Sequence, residues 1–170
     1  MKRAPRYLTK KDNDMDVYIG LDVSLASTAI CAVSAQGKIV KETTAASEPE
    51  DLVVALRAMP GDIVAVGLEA GPLSQWLYRF LTDADFATVL METRQVKGAL
   101  KAMPIKTDRR DAEGIARLLQ MGWYRPVHCK SISAQEMRGL LCARKAIQQA
   151  AINLELSIRG VLRNFGLKIG

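Results

Sequence analysis

Hydrophobic positions recur along this chain in two rhythms, first the short apolar runs of strands separated by helical segments, then one long helical period. Val17-Tyr-Ile-Gly-Leu-Asp-Val-Ser24 is an apolar, β-branched run of strand length with a single carboxylate, Asp22, near its downstream end. Ser27 to Ala35 and Lys38 to Thr44 read as two further strands joined at Gln36-Gly37, so the first three strands are expected to form an antiparallel meander. Ser47-Glu-Pro-Glu50 reads as a helix start: Ser47 can cap, Pro49 suits the first turn and Glu50 completes a capping box. Leu52, Val53, Leu56 and Met59 supply the apolar face of that helix, and Pro60-Gly61 ends it. Ile63-Val-Ala-Val-Gly-Leu68 is a near-continuous apolar strand of the kind found in a covered parallel sheet, and it runs straight into Glu69. Pro72 to Thr82 predicts a helix, Phe86 to Met91 a strand, Thr93 to Met103 a basic helix and Asp108 to Met121 another helix. Strands followed by crossover helices predict an α/β domain, a mixed sheet with helices on its faces.

From Ser133 onward the period changes, with Ser133 and Glu136 as a second capping box. Positions 137, 140, 144, 147, 151, 154, 158, 161 and 165 step three and four alternately, and all but Arg144 are apolar. A helix of about thirty residues is ~45 Å long, too long to pack fully on so small a domain, so the pattern predicts a coiled-coil arm seeking a partner helix. An amphipathic helix folded back on the sheet is the alternative. The organisation expected is thus a basic disordered tail over 1–16, a globular domain over 17–130 and a helical arm over 131–170.

At 170 residues the chain can bury a real core, and its 49% hydrophobic and 25% charged content is that of a globular protein. No apolar run approaches the ~18 residues a membrane span needs, and the basic N-terminus lacks the apolar core of a secretory signal. Cys31, Cys129 and Cys142 are odd in number and lack metal-type spacing, which fits reduced thiols in a cytoplasm. His128, the single histidine, offers neither a zinc site nor a triad and is assigned a structural role. The net charge of +6 is concentrated: residues 94–145 hold twelve basic and four acidic side chains. Such a block points either to a polyanion partner or to a well-solvated surface.

The chemistry rests on four carboxylates. Asp22 and Glu69 each stand at the end of an apolar strand, where desolvating an ionised group costs several kcal/mol, so Asp22 is either paired, or exposed at the strand end, or a ligand. Asp108 and Asp111 are three apart and share a face of the first turn of their helix, where acidic groups also simply complement the positive helix end. Strand ends and an adjoining helix start can converge on one crevice of an α/β sheet. Carboxylates gathered there repel one another unless hard cations such as Mg²⁺ hold them, and two such ions would serve phosphodiester cleavage. Lys101, Lys106, Arg109 and Arg110 around the last pair would hold a nucleic-acid backbone.

Tyr18-Ile-Gly-Leu-Asp-Val-Ser24, Gly67-Leu-Glu-Ala-Gly71 and Lys106-Thr-Asp-Arg-Arg-Asp-Ala112, in that order and rough spacing, resemble the RuvC-like N-terminal domain of the DEDD transposases of bacterial insertion sequences. The resemblance covers nearly the whole chain from Val17, and Lys-Thr-Asp-x-x-Asp-Ala is its most specific part. It implies an RNase H-like fold in which Asp22, Glu69, Asp108 and Asp111 form the DEDD tetrad binding Mg²⁺, with Mn²⁺ as a substitute. It further implies a DNA recombinase guided by a structured RNA, assembled as a dimer or tetramer through the C-terminal helix, nucleoid-associated and without a membrane partner. The family's second domain, which carries a nucleophilic serine, is not expected within these residues, so the chain is read as a fragment of a longer protein, a truncated element or a separately made domain; Ser24, Ser27, Ser131 and Ser133 offer no substitute.

Three other readings compete. A RuvC-type resolvase would hydrolyse four-way DNA junctions with two Mg²⁺ and no serine. The opening Ile-Gly-Leu-Asp22 also resembles the first phosphate motif of actin-like and sugar-kinase ATPases, although Ser24 stands where those place glycine and no second Asp-x-Gly follows. A noncatalytic RNA-binding and dimerising module would need only the basic block and the arm.

Overall fold

The structure, a computed structural model, describes residues 16–101 and 108–168, Asp108 in its backbone only. The expected basic tail up to residue 15, and Lys106 within its loop, lie outside the described residues. Apolar β-branched runs become strands β1 (Asp16–Val23), β2 (Ser27–Ser34), β3 (Ile39–Ala46), β4 (Asp62–Glu69) and β5 (Thr88–Met91). The amphipathic segments become helices α1 (Pro49–Arg57), α2 (Ser74–Asp83), α3 (Thr93–Leu100), α4 (Asp108–Gln120) and α5 (Ile132–Asn164). The sheet order is β3-β2-β1-β4-β5. β1, β2 and β3 form the expected antiparallel meander, turning at Gly37 with φ 76°, and β4 and β5 add in parallel beyond β1. The expected mixed sheet with flanking helices is therefore present.

Strand alternation sorts the core into two layers. Ile19 and Leu21 of β1 and Val66 and Leu68 of β4 face one side, where they pack with Leu52 and Leu56 of α1 and Leu77 and Leu81 of α2. Tyr18 and Ala65 face the other, against Ala112, Ile115, Ala116 and Leu119 of α4 and Val96 of α3. Gly20 and Gly67 belong to this second face. A Cβ on Gly20 would stand 2.1 Å from the Ala112 carbonyl oxygen and 2.4 Å from the Ala116 nitrogen. The missing side chain lets the α4 backbone rest directly on β1.

Two expected caps are corrected. Ser47 does not cap α1; the cap position is Glu48, which makes no side-chain cap bond. The Ser47 side chain is drawn instead into the core, donating to the Ser24 carbonyl at 2.8 Å and lying 2.8 Å from the Thr28 hydroxyl. The long helix is capped by Ser131 rather than Ser133, with the Ala134 N–H donating to the Ser131 hydroxyl at 3.2 Å. Boundaries elsewhere shift modestly; α3 spans Thr93–Leu100, and its expected end at Met103 lies outside the described residues.

The chain divides into two compact units, Met1–Cys129 and Lys130–Gly170. In the second, α5 runs for 33 residues, about 50 Å, and buries none of them. Its heptad positions Met137, Leu140, Ile147, Leu154, Ile158 and Val161 are all exposed. Among the described residues no helix is long and apolar enough to cross a membrane.

Candidate metal and nucleic-acid site

Asp22 follows Gly20 by two residues and Glu69 follows Gly67 by two, so strand alternation puts both carboxylates on the face that α4 covers. β1 and β4 are parallel neighbours with Leu21 opposite Leu68, which brings Asp22 and Glu69 side by side at their C-terminal ends. Both are half-buried, and both line one cleft of about 310 Å³ with Val23, Ser24, Leu25, Gly71, Pro72, Leu73 and Ser74.

The cleft walls are fixed by short hydrogen bonds. Ser24 Oγ donates to the Ser27 carbonyl, and the Ser24 carbonyl accepts from Ser47, so the turn after Asp22 is held from two sides. On the opposite wall Ser74 Oγ donates to the Gly71 carbonyl at 2.6 Å and accepts from the Gly71 N–H at 2.9 Å. Thr93 Oγ1 donates to the Ala70 carbonyl at 2.7 Å, tying the start of α3 to the residue after Glu69.

α4 has a defined direction over this face. Near its C-terminus Arg117 donates to the Gly37 carbonyl at 2.8 Å and Gln120 to the Ala35 carbonyl at 2.7 Å. Ala35 in turn donates its N–H to the Asp16 carbonyl, so this end of α4 lies at the start of β1. The helix therefore runs antiparallel to β1, and its first turn lies toward the strand end that carries Asp22. Asp108 precedes Ala112 by ~6 Å along the helix axis, and Asp22 follows Gly20 by ~7 Å along the strand, in the same direction.

Of the residues singled out in the sequence, Asp22 and Glu69 are brought together and Asp111 sits half-buried on the first turn of α4, outside the cleft lining. Among the described residues no three His, Cys, Asp or Glu side chains stand close enough to hold a metal ion; Asp108, whose side chain is not described, falls outside that search. Arg109 and Lys101 are exposed and Arg110 is half-buried. His128 is exposed.

One residue at the site was missed in the sequence. Lys97 Nζ lies 3.8 Å from Glu69 Oε1. Lys97 lies one turn after Thr93, so the bond from Thr93 to Ala70 sets its helix face over Glu69. Only its place in a basic helix marked it in the sequence, and that signal is shared by Arg94 and Lys101.

Comparison with known proteins decides the family. A family model described as a transposase, of the DEDD type named for IS110, matches residues 19–166. The chain belongs to the IS110-type DEDD transposase family. It is 26% identical over 151 residues to the transposase for insertion sequence element IS1111A of Coxiella burnetii (strain RSA 493 / Nine Mile phase I), an alignment covering 88% of this chain. The chain spans 39% of the length of that transposase. Among solved structures it is similar to Thermus thermophilus RuvC, at 17% identity and a TM-score of 0.44 over 65% of this chain and 99% of that one. A second structure, T. thermophilus RuvC in complex with Holliday junction substrate, gives 16% identity and a TM-score of 0.42 over the same shares. The family is thus the one that the three motifs resemble, and the five-stranded mixed sheet with flanking helices is the α/β architecture expected from the sequence.

Proposed function

We propose that this chain is the N-terminal, metal-dependent nuclease and recombinase domain of a DNA transposase. Asp22, Glu69, Asp108 and Asp111 hold divalent cations, Mg²⁺ or Mn²⁺, at the C-terminal ends of β1 and β4. The observation that carries this reading is the direction of α4 over the sheet: its first turn lies toward the cleft that Asp22 and Glu69 line. The donor set fits a hard cation, since the titratable groups lining that cleft are carboxylates, with no imidazole or thiolate among the lining residues. When bound, the cations supply Lewis-acid polarisation and neutralise charge on the phosphodiester undergoing exchange.

The chain's own residues do the rest. The carboxylates orient the site, and the Ser47 and Ser74 hydrogen bonds keep its two walls from relaxing. Lys101, Lys106, Arg109 and Arg110 hold the DNA backbone beside it, contacts that position without reading sequence. A structured guide RNA supplies target choice, and α5 joins copies of the chain into an oligomer through its exposed heptad face. Strand exchange draws on a serine of a second domain, so the intact transposase is the molecule in which to test it.

With Mg²⁺ and DNA carrying the ends of the element, the intact transposase cuts, whereas Asp22→Asn, Glu69→Gln, Asp108→Asn and Asp111→Asn each lose at least a hundredfold in cutting and still bind the DNA. Variants that cut like the parent would reject the tetrad.

A further inference from the structure

Glu69 carries two obligations in this structure. It is a proposed ligand for a divalent cation, and its Oε1 is already paired with the Lys97 ammonium at 3.8 Å. The pair is not an accident of two mobile surface chains. Glu69 ends β4 in register with Met91 of β5, and the Ala70 N–H donates to the Met91 carbonyl at 2.9 Å. Two residues later Thr93 opens α3 and donates to the Ala70 carbonyl, so the residue after the carboxylate is tied to the β5 end and to the helix start through both its N–H and its carbonyl. Lys97 follows Thr93 by one turn and is held by that frame within reach of Glu69. Its side chain is 65% exposed while that of Glu69 is 25% exposed, so the ammonium can leave for water at little cost and the carboxylate cannot.

We infer that Lys97 is a built-in competitor of the divalent cation for Glu69, a positioning residue that sets how tightly the site takes its metal. The inference rests on the function proposed above. Without metal, Lys97 neutralises Glu69 and keeps it at the cleft wall. A divalent cation must displace that ammonium and then sit near its charge, and both effects weaken metal binding. The displaced Lys97 stays at the rim of the site on α3, free to meet a DNA phosphate.

Calorimetric titration of the chain with Mn²⁺ alone, comparing the parent with Lys97→Met and Lys97→Arg, tests this. Removing one like charge within several ångströms of a divalent ion predicts about three- to tenfold tighter Mn²⁺ binding by Lys97→Met. Lys97→Arg keeps the charge and binds like the parent. The gain from Lys97→Met shrinks toward onefold at ~1 M salt, where exposed charges are screened. Unchanged or weaker binding by Lys97→Met, with Asp22→Asn still abolishing it, overturns the inference and leaves the proposed function standing. No Mn²⁺ binding by the parent chain overturns both. Because Lys97 is exposed, the melting temperature without metal serves as the control for folding and stays within a few degrees of the parent for both variants.

Discussion

Gly20 meets the carbonyl oxygen of Ala112 so closely that a Cβ at Gly20 would stand 2.1 Å away. That contact sets the height of α4 over β1, and with it the distance of the first turn of α4 from Asp22. Gly20→Ala forces backbone against backbone and is expected to cost about 1 to 3 kcal/mol or more. Gly67→Ala meets the Met91 Cε at 2.6 Å, the far end of a flexible side chain, and costs less. Chemical denaturation of the two variants ranks them; equal losses would mean that α4 does not rest on β1 as described.

The serine corrections make a second test. Ser131→Ala removes the side-chain cap of α5 and lowers the stability of that helix by about 1 kcal/mol, whereas Ser133→Ala changes it little. Ser47→Ala takes from the fully buried Thr28 hydroxyl its Ser47 partner and frees the Ser24 carbonyl, at about 1 to 3 kcal/mol. Circular dichroism melts of the three variants separate these roles. A larger loss from Ser133→Ala than from Ser131→Ala would restore the cap read from the sequence.

Cys31 gives a pH dependence. Burial, helped by the nearby carboxylates of Glu42 and Glu113 and opposed by Arg117, pushes its thiol from 9.0 up to about 12. The folded state thus binds the proton more tightly than the unfolded chain. The contribution to stability is complete below pH 9 and is lost as pH rises from there toward 12. Denaturation midpoints should fall across that window and fall less in Cys31→Ala. Thiol labelling of the folded chain at neutral pH should modify the exposed Cys142 and spare Cys31.

The sheet was legible because its signals are local. Val17 to Val23 and Ile63 to Leu68 are apolar runs with a charge at their ends, and the order of strands and helices permits few topologies. The serines misled because the same side chain can cap a helix or enter a polar network, and the choice at Ser47 depends on Thr28 and Ser24, far away in sequence. Lys97 was illegible for the same reason: its partner Glu69 is brought to it by the pairing of β4 with β5 and not by any spacing along one element. Asp22 and Glu69 could be matched in the sequence only as two charges ending two strands. Their adjacency follows from the parallel pairing of β1 with β4.

The central claim is that Asp22, Glu69, Asp108 and Asp111 act together as one metal site. Mn²⁺ titration of the 170-residue chain, followed by its melting temperature, tests it most directly. The parent should gain several degrees at saturating Mn²⁺, as binding to the folded state alone requires, and Asp22→Asn and Asp111→Asn should each lose that gain. A gain that survives both substitutions, or no gain in the parent, would contradict the account.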